Sequence, residues 1–236
     1  MTGPTRHTRN EELLLARISA AAGRWHLGKR RATYAGAAHT AHAKALWNRG
    51  IRGLLTFVGY GRTSAPKVRD DARLDLYVHG MTVAVQGRIH VVRYDTTSVF
   101  RTGTAHDSAR VDTVYTLTDV DGERVELRGL PEHGDAAAWR SEIQRGVIRA
   151  QLPQALAALD QGERLHFGGI WLTGEKVGYG EVGVRWPQVR HLRVRQGAIE
   201  LDVDGTWQGL GSEVSEIPNV FVLRALVERL GPDGVR

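Results

Sequence analysis

The tetrapeptide Asp-Val-Asp-Gly occurs twice in this chain, at Asp119–Gly122 and Asp202–Gly205. Its surroundings recur with it. Val91-Val92-Arg93-Tyr94 precedes the first copy, and Val182-Gly183-Val184-Arg185-Trp186 precedes the second. Downstream of each come a short strand-like run, a proline (Pro131, Pro218) and an apolar helical pattern. Aligning Arg93 with Arg185 pairs Tyr94 with Trp186 and Phe100 with Leu192 at an offset of 92, whereas aligning the tetrapeptides gives 83. The difference of nine is assigned to a longer polar loop at Gly103–Arg110 in the first copy, since insertions in surface loops are thermodynamically mild. A repeated unit fixes the architecture before any residue has a role.

Periodicity fills in the units. Apolar residues Leu14, Leu15, Ile18, Ala21 and Ala22 predict a helix over 11–23 with Asn10 as its N-cap. A second helical pattern runs from about Thr40 to Tyr60, followed by a linker-like stretch at 59–67. After Ala72 the period becomes that of strands: 74–78, 82–85, 89–92, 97–101, 111–117 and 123–127. Asp121-Gly122 predicts a two-residue type I′ turn, which needs positive φ at both central positions. Asp135 then opens a helical stretch that Pro153 is expected to divide. The second unit repeats this order, with strands at 165–167, 170–173, 176–179, 182–184, 189–194, 198–203 and 207–210 and a closing helix over 219–230.

The fold class that follows is α+β. It consists of two tandem antiparallel β-barrel or sandwich units, each closed by a C-terminal helix, behind a helical N-terminal region. The divisions fall at 1–70, 71–160 and 161–236. So many strands in so few residues must curl to bury an apolar face. With Arg185-Trp186-Pro187 and Arg93-Tyr94-Asp95 each opening a strand near the middle, the pattern over 72–230 resembles the pleckstrin-homology-like barrel, including bacterial PH and GRAM-type domains. The whole chain is similar to uncharacterised actinobacterial proteins with such units and no established activity. The resemblance implies a binding module rather than an enzyme.

Composition excludes several chemistries. There is no cysteine, so disulfides, zinc–thiolate sites and thiol nucleophiles are ruled out. No apolar run approaches a bilayer span, and the start lacks a signal-peptide pattern, so the expected location is cytoplasmic, with the inner membrane face as a peripheral site. Residues 1–70 carry 13 Lys and Arg against 3 Asp and Glu, while the remainder is mildly acidic; together they give +6. A cationic leader on an acidic body suggests a separate role for the N-terminal part. Only 4 of the 32 basic residues are lysine, which fits a GC-rich genome as well as phosphate recognition.

The chemical motifs are thin. Gly178-Tyr179-Gly180-Glu181-Val182-Gly183 fits G-x-G-x-x-G, but Val184-Arg185-Trp186-Pro187 cannot start the helix a dinucleotide site needs, so hairpin turns explain it better. His39 and His42 lack a third ligand; His79 and His90 flank a hairpin and could approach each other, though surface imidazoles are the simpler account. The two Asp-Val-Asp-Gly segments put glycine at position 4, where a calcium loop needs it at position 6. No Gly-x-Ser-x-Gly elbow or Walker loop occurs, and Ser98, His106 and Asp107 are not assembled by spacing. No catalytic residue, cofactor or metal is therefore assigned, and the chain is expected not to be an enzyme.

Two features carry functional hypotheses. Arg185, Arg190, Arg193 and Arg195, with His191, form a candidate anion- or lipid-binding cluster, although strand alternation should split Arg190 from Arg193 and Arg195. The helix bearing Trp47, Ile51, Leu54, Leu55 and Val58 on one face and Lys44, Arg49 and Arg52 opposite is a candidate membrane or partner helix. The expected function is a non-enzymatic binding or scaffold protein whose partner is a protein or an anionic membrane surface. Nucleic-acid binding through the basic N-terminal region is the alternative, and an enzyme with a pocket between the units is the third.

Overall fold

The computed structural model describes residues 6–35, 73–85, 87–106, 110–129 and 135–232. The helix expected at 40–60, with Lys44, Trp47, Arg49, Ile51, Arg52, Leu54, Leu55 and Val58, lies outside the described residues, as does the linker at 59–67. The fold is α+β. Four strands, three strands and a helix follow one another, and then the same order recurs.

In the first round, β1 (Arg30–Ala35), β2 (Arg73–Tyr77), β3 (Gly80–Val85) and β4 (Arg88–Arg93) form one antiparallel sheet in that order. The strands β5 (Val99–His106), β6 (Arg110–Thr118) and β7 (Arg124–Gly129) form another, and α2 (Asp135–Asp160) follows. The second round has β8 (Leu165–Phe167), β9 (Ile170–Leu172), β10 (Lys176–Tyr179) and β11 (Val182–Arg185), then β12 (Val189–Arg195), β13 (Ala198–Val203) and β14 (Thr206–Glu213), then α3 (Val220–Leu230). The strands hydrogen-bond as four separate sheets among the described residues, not as closed barrels. β1 lies within the stretch read as the N-terminal region, yet it pairs with β2.

Several local expectations are corrected. The first helix, α1, spans Arg6–Arg24, so Asn10 lies inside it instead of capping it. The loop expected at 103–110 is instead a hairpin whose ladder runs out to His106 opposite Arg110. Pro153 sits within a continuous α2 of 26 residues. It is exposed, where the missing N–H costs least in packing.

The two Asp-Val-Asp-Gly copies occupy the same hairpin position and make different turns. In the second, Asp204 and Gly205 have φ of 51° and 83°, the signs a type I′ turn requires. In the first, positive φ falls at Gly122 and not at Asp121. There the Asp119 side chain organises the turn, accepting hydrogen bonds from the amides of Asp121 (3.0 Å) and Glu123 (2.8 Å).

One apolar core runs through both units. Trp139, Ile143 and Val147 of α2 pack with Leu74, Met81, Leu117 and Leu127, and the same cluster continues to Ile170, Leu172, Leu201, Leu223 and Leu226. The repeated aromatics Tyr94 and Trp186 are both buried in it. Tyr94 lies against Gly146 of α2, where a Cβ would come within 2.5 Å of its ring. Burial pushes the Tyr94 phenol well above its usual range.

A polar joint ties the units inside this core. Asn219, just before α3, is buried with left-handed φ of 51°. Its side chain does not cap its own helix. The carboxamide oxygen accepts from Val99 N–H (2.8 Å), and the nitrogen donates to Thr97 O (3.0 Å) and to Gln151 Oε1 (2.8 Å). Gln151 in turn donates to Tyr94 O and Thr97 O.

The shared core and this joint predict a single cooperative unfolding transition. Asn219→Ala should lower stability by about 2–4 kcal/mol in urea titration, because it orphans buried groups in both units. Asn219→Gly should recover only the backbone share, about 1 kcal/mol. Two separate transitions in the native chain, or a loss under about 0.5 kcal/mol in Asn219→Ala, would contradict the joint.

Candidate functional site

The four-stranded sheets of the two units differ in what lies on their outer faces. In the first, Leu74, Leu76, Met81 and Val83 point into the core. The alternate residues Asp75, Tyr77, Thr82 and Val91 face outward, yet all are buried. Helix α1 and the turn after it cover this face: Ala22 and Leu27 form a cluster with Tyr77 and Val91, edged by Trp25 and Val120. The buried Asp75 carboxylate is matched by Thr33, by Arg73 at 2.7 Å and by Arg30 at 3.6 Å. Hydrogen bonding to Asp75 holds the Arg73 guanidinium above its ordinary pKa.

The first unit also closes the edge of its sheet. His90 on β4 is 4% exposed, and its Nδ1 lies 2.8 Å from Asp119 Oδ2. Arg88 holds Glu123 at 2.9 Å on the same turn, and Val120 N–H bonds to Val91 O (2.9 Å). The β6–β7 turn is thus clasped onto β4. Ligand atoms of His90, Asp119 and Glu123 fall within 4.8 Å of one another, a spacing a cation could use. Their bonds already have an internal purpose, since one Asp119 oxygen serves two turn amides, the other serves His90, and Arg88 takes Glu123. His90 is thus no scattered surface imidazole. It sits opposite Val83, whereas the exposed His79 bonds Tyr94 through its carbonyl, so the two do not meet.

The second unit presents the same sheet, and among the described residues no apolar cluster covers its outer face. Register places His166, Trp171, Gly178 and Gly183 side by side across β8, β9, β10 and β11. Lys176 opposite Arg185 forms the next row, two residues away. Val177, between Lys176 and Gly178, is fully buried, so both rows face outward. Trp171 lies flat on this face because Gly178 and Gly183 leave it room; a Cβ at either would come within 2.5–2.6 Å of its ring. Its Nε1–H donates to Gly180 O (2.9 Å), and Arg164 stacks over it with Cζ 4.0 Å from the ring centroid. The G-x-G-x-x-G spacing is accounted for by this seat and by the turn at Gly180 (φ 55°), where a dinucleotide loop would need a helix.

The side chains of Arg164, Lys176 and Arg185 have no hydrogen-bond or ion-pair partner among the described residues. These three side chains put positive charge beside Trp171 on the outer face. Adjacent strands are about 4.8 Å apart, so neighbours in the row lie within one Debye length at physiological salt. Stacking on tryptophan fixes a guanidinium while leaving its donor edge free, a contact worth about 0.5–2 kcal/mol.

Of the arginines singled out from sequence, Arg185 is on this face and the other three are on β12. A bulge between Val189 and Leu192 places two residues between inward positions. The alternation therefore resets, and Arg190 is not separated from Arg193 and Arg195 as expected. Arg193 is compensated, bonding Glu200 at 2.6 Å and stacking on Trp207 at 3.8 Å. The four do not form one cluster. Arg164, Trp171 and Lys176 were not anticipated, and the available signal was a tryptophan flanked by two strand glycines.

An α+β chain of antiparallel sheets, one of them carrying Arg164, Lys176 and Arg185 on its outer face, is the class that fold and site define. The chain belongs to the DUF6585 family, a family of unknown function, which is matched over residues 54–232. No curated protein and no solved structure matches the chain. No helix among the described residues is long and apolar enough to cross a membrane.

The seat of Trp171 is open to a double-mutant cycle. Gly183→Ala should cost about 1–3 kcal/mol through overpacking. In a Trp171→Ala background the same change should cost less than about 0.5 kcal/mol, because the clash has gone. Equal costs in both backgrounds would show that the ring does not rest on Gly183.

Proposed function

We propose that this is a non-enzymatic binding or scaffold protein built from two pleckstrin-homology-like units, and that its binding surface is the outer face of β8–β11. The element order, four strands, three strands and a helix in each round, supports the unit assignment, as does the buried aromatic at Tyr94 and Trp186 after the fourth strand. One observation carries the functional reading. Among the described residues, the face that α1 covers in the first unit is left uncovered in the second, and the side chains of Arg164, Lys176 and Arg185 have no hydrogen-bond or ion-pair partner there. Cations side by side with no ion-pair partner among the described residues favour an anionic partner, either an acidic protein surface or an anionic membrane at the cytoplasmic side. No catalytic motif in the sequence competes with this reading.

Retention of the full chain on immobilised poly-glutamate and on phosphatidylserine-containing vesicles tests it. Retention on at least one matrix should be strong at low salt and lost as salt rises, since exposed charges are screened. Arg164→Glu/Lys176→Glu/Arg185→Glu should abolish retention while leaving the circular dichroism spectrum unchanged. Arg224→Glu on α3 should have little effect. Unchanged retention of the triple variant would place the binding surface elsewhere.

A further inference from the structure

The edge strand β11 differs from its counterpart β4 in a way that names a partner, if the β8–β11 face is the binding surface. Trp186 N–H bonds to Glu175 O, and antiparallel pairs alternate between exchanging both bonds and exchanging none. Counting back, Val184 and Val182 turn their backbone groups toward β10, while Gly183 and Arg185 turn theirs outward. Neither residue has a backbone partner on that side among the described residues. At the repeat offset of 92, Gly183 corresponds to Val91, the residue whose carbonyl accepts the Val120 amide. The first unit fills this edge with its own β6–β7 turn; among the described residues nothing fills it in the second.

The cause is visible in single residues. His90, which clasps Asp119, corresponds to Val182, a residue 73% exposed. Valine offers no hydrogen bond to hold the second Asp-Val-Asp-Gly turn. That turn docks elsewhere, through Asp204 N–H to Gln188 O (2.8 Å) and Gln188 Nε2 to Asp204 Oδ2 (3.0 Å). Arg93 is likewise engaged, bonding Asp95 and Trp25 O, while its counterpart Arg185 is free.

We infer that an acidic, extended polypeptide segment of a partner protein adds as a further strand along β11, with its carboxylates on the outer face meeting Arg185, Lys176 and Arg164. Main-chain bonds to Gly183 and Arg185 supply affinity, and the cation row supplies selectivity. The chemistry of the face favours this partner over a membrane or a nucleic acid. A membrane-seeking surface needs aromatic groups free to insert, and single-stranded nucleic acid needs a free stacking face. Trp171 offers neither, being seated on glycine backbone, bonded through its N–H and covered by Arg164. The cations remain available, and carboxylates on alternate residues of a strand would face them.

The test uses the full chain and a short synthetic peptide alternating Glu and Val. Amide exchange by NMR should show Gly183 and Arg185 becoming protected on binding. Lys176→Glu/Arg185→Glu should weaken the peptide by about tenfold or more, given the usual size of exposed charge pairs. N-methylation of alternate peptide amides, which leaves every carboxylate in place, should abolish binding, and a Lys-Val peptide should not bind. Binding that depends on Lys176 and Arg185 while Gly183 and Arg185 stay unprotected would overturn strand addition yet leave the face as a binding surface. Binding of phosphatidylserine vesicles without the peptide would overturn the acidic-polypeptide partner while leaving the face standing. Failure of both probes would remove the functional reading and this inference together.

Discussion

A strand at the edge of a sheet carries backbone donors and acceptors that water, another strand or a covering element must satisfy. The two halves of this chain meet that demand differently. In the first half a buried imidazole and carboxylate, His90 and Asp119, bring the β6–β7 turn onto β4, and the Val120 amide takes the Val91 carbonyl that turns away from β3. Helix α1 then covers the face of the same sheet. In the second half a valine replaces the imidazole, and among the described residues no helix covers the face and nothing pairs with the edge. Unequal closure of this kind leaves one half braced at its edge and the other with outward-turned backbone groups that have no partner among the described residues.

The brace is transmitted through packing. Asn219 bonds three groups contributed by β5, the strand's approach and α2, and the apolar cluster around it is continuous from Leu74 to Val227. A sheet anchored in this way loses little by leaving an edge unpaired, because its inner face is already fixed by Ile170, Leu172 and Val177. Rigid support behind an open edge also lowers the ordering cost of binding, since the host strand is formed in advance.

Much of this was legible in the residues. The repeat located all seven strands of the second unit and its closing helix, because alternating apolar positions and glycine turns are local signals. What escaped was whatever depends on contacts distant in sequence. The Arg190–His191 bulge was invisible because alternation gives no warning of an extra residue. The identical tetrapeptides concealed different turns, since the choice at Asp119 depends on His90, 29 residues away. Pro153 was read as a break, although tertiary packing of Trp139, Ile143, Val147 and Leu159 carries the helix through it. The row of cations on β8–β11 escaped for a similar reason. Arg190, Arg193 and Arg195 are close in sequence, whereas Arg164, Lys176 and Arg185 are gathered only by strand pairing, and the glycines that seat Trp171 looked like turn residues.

Native-state hydrogen exchange of the free, full-length protein measures the difference between the two edges directly. Unequal closure predicts a strongly protected Val120 amide that becomes labile in His90→Val. It also predicts slow exchange at Val182 and Val184 beside fast exchange at Gly183 and Arg185 on the same strand. Uniform protection along β11, or a Val120 amide as labile as those at Gly183 and Arg185, would show that the two units are closed alike and would contradict the account.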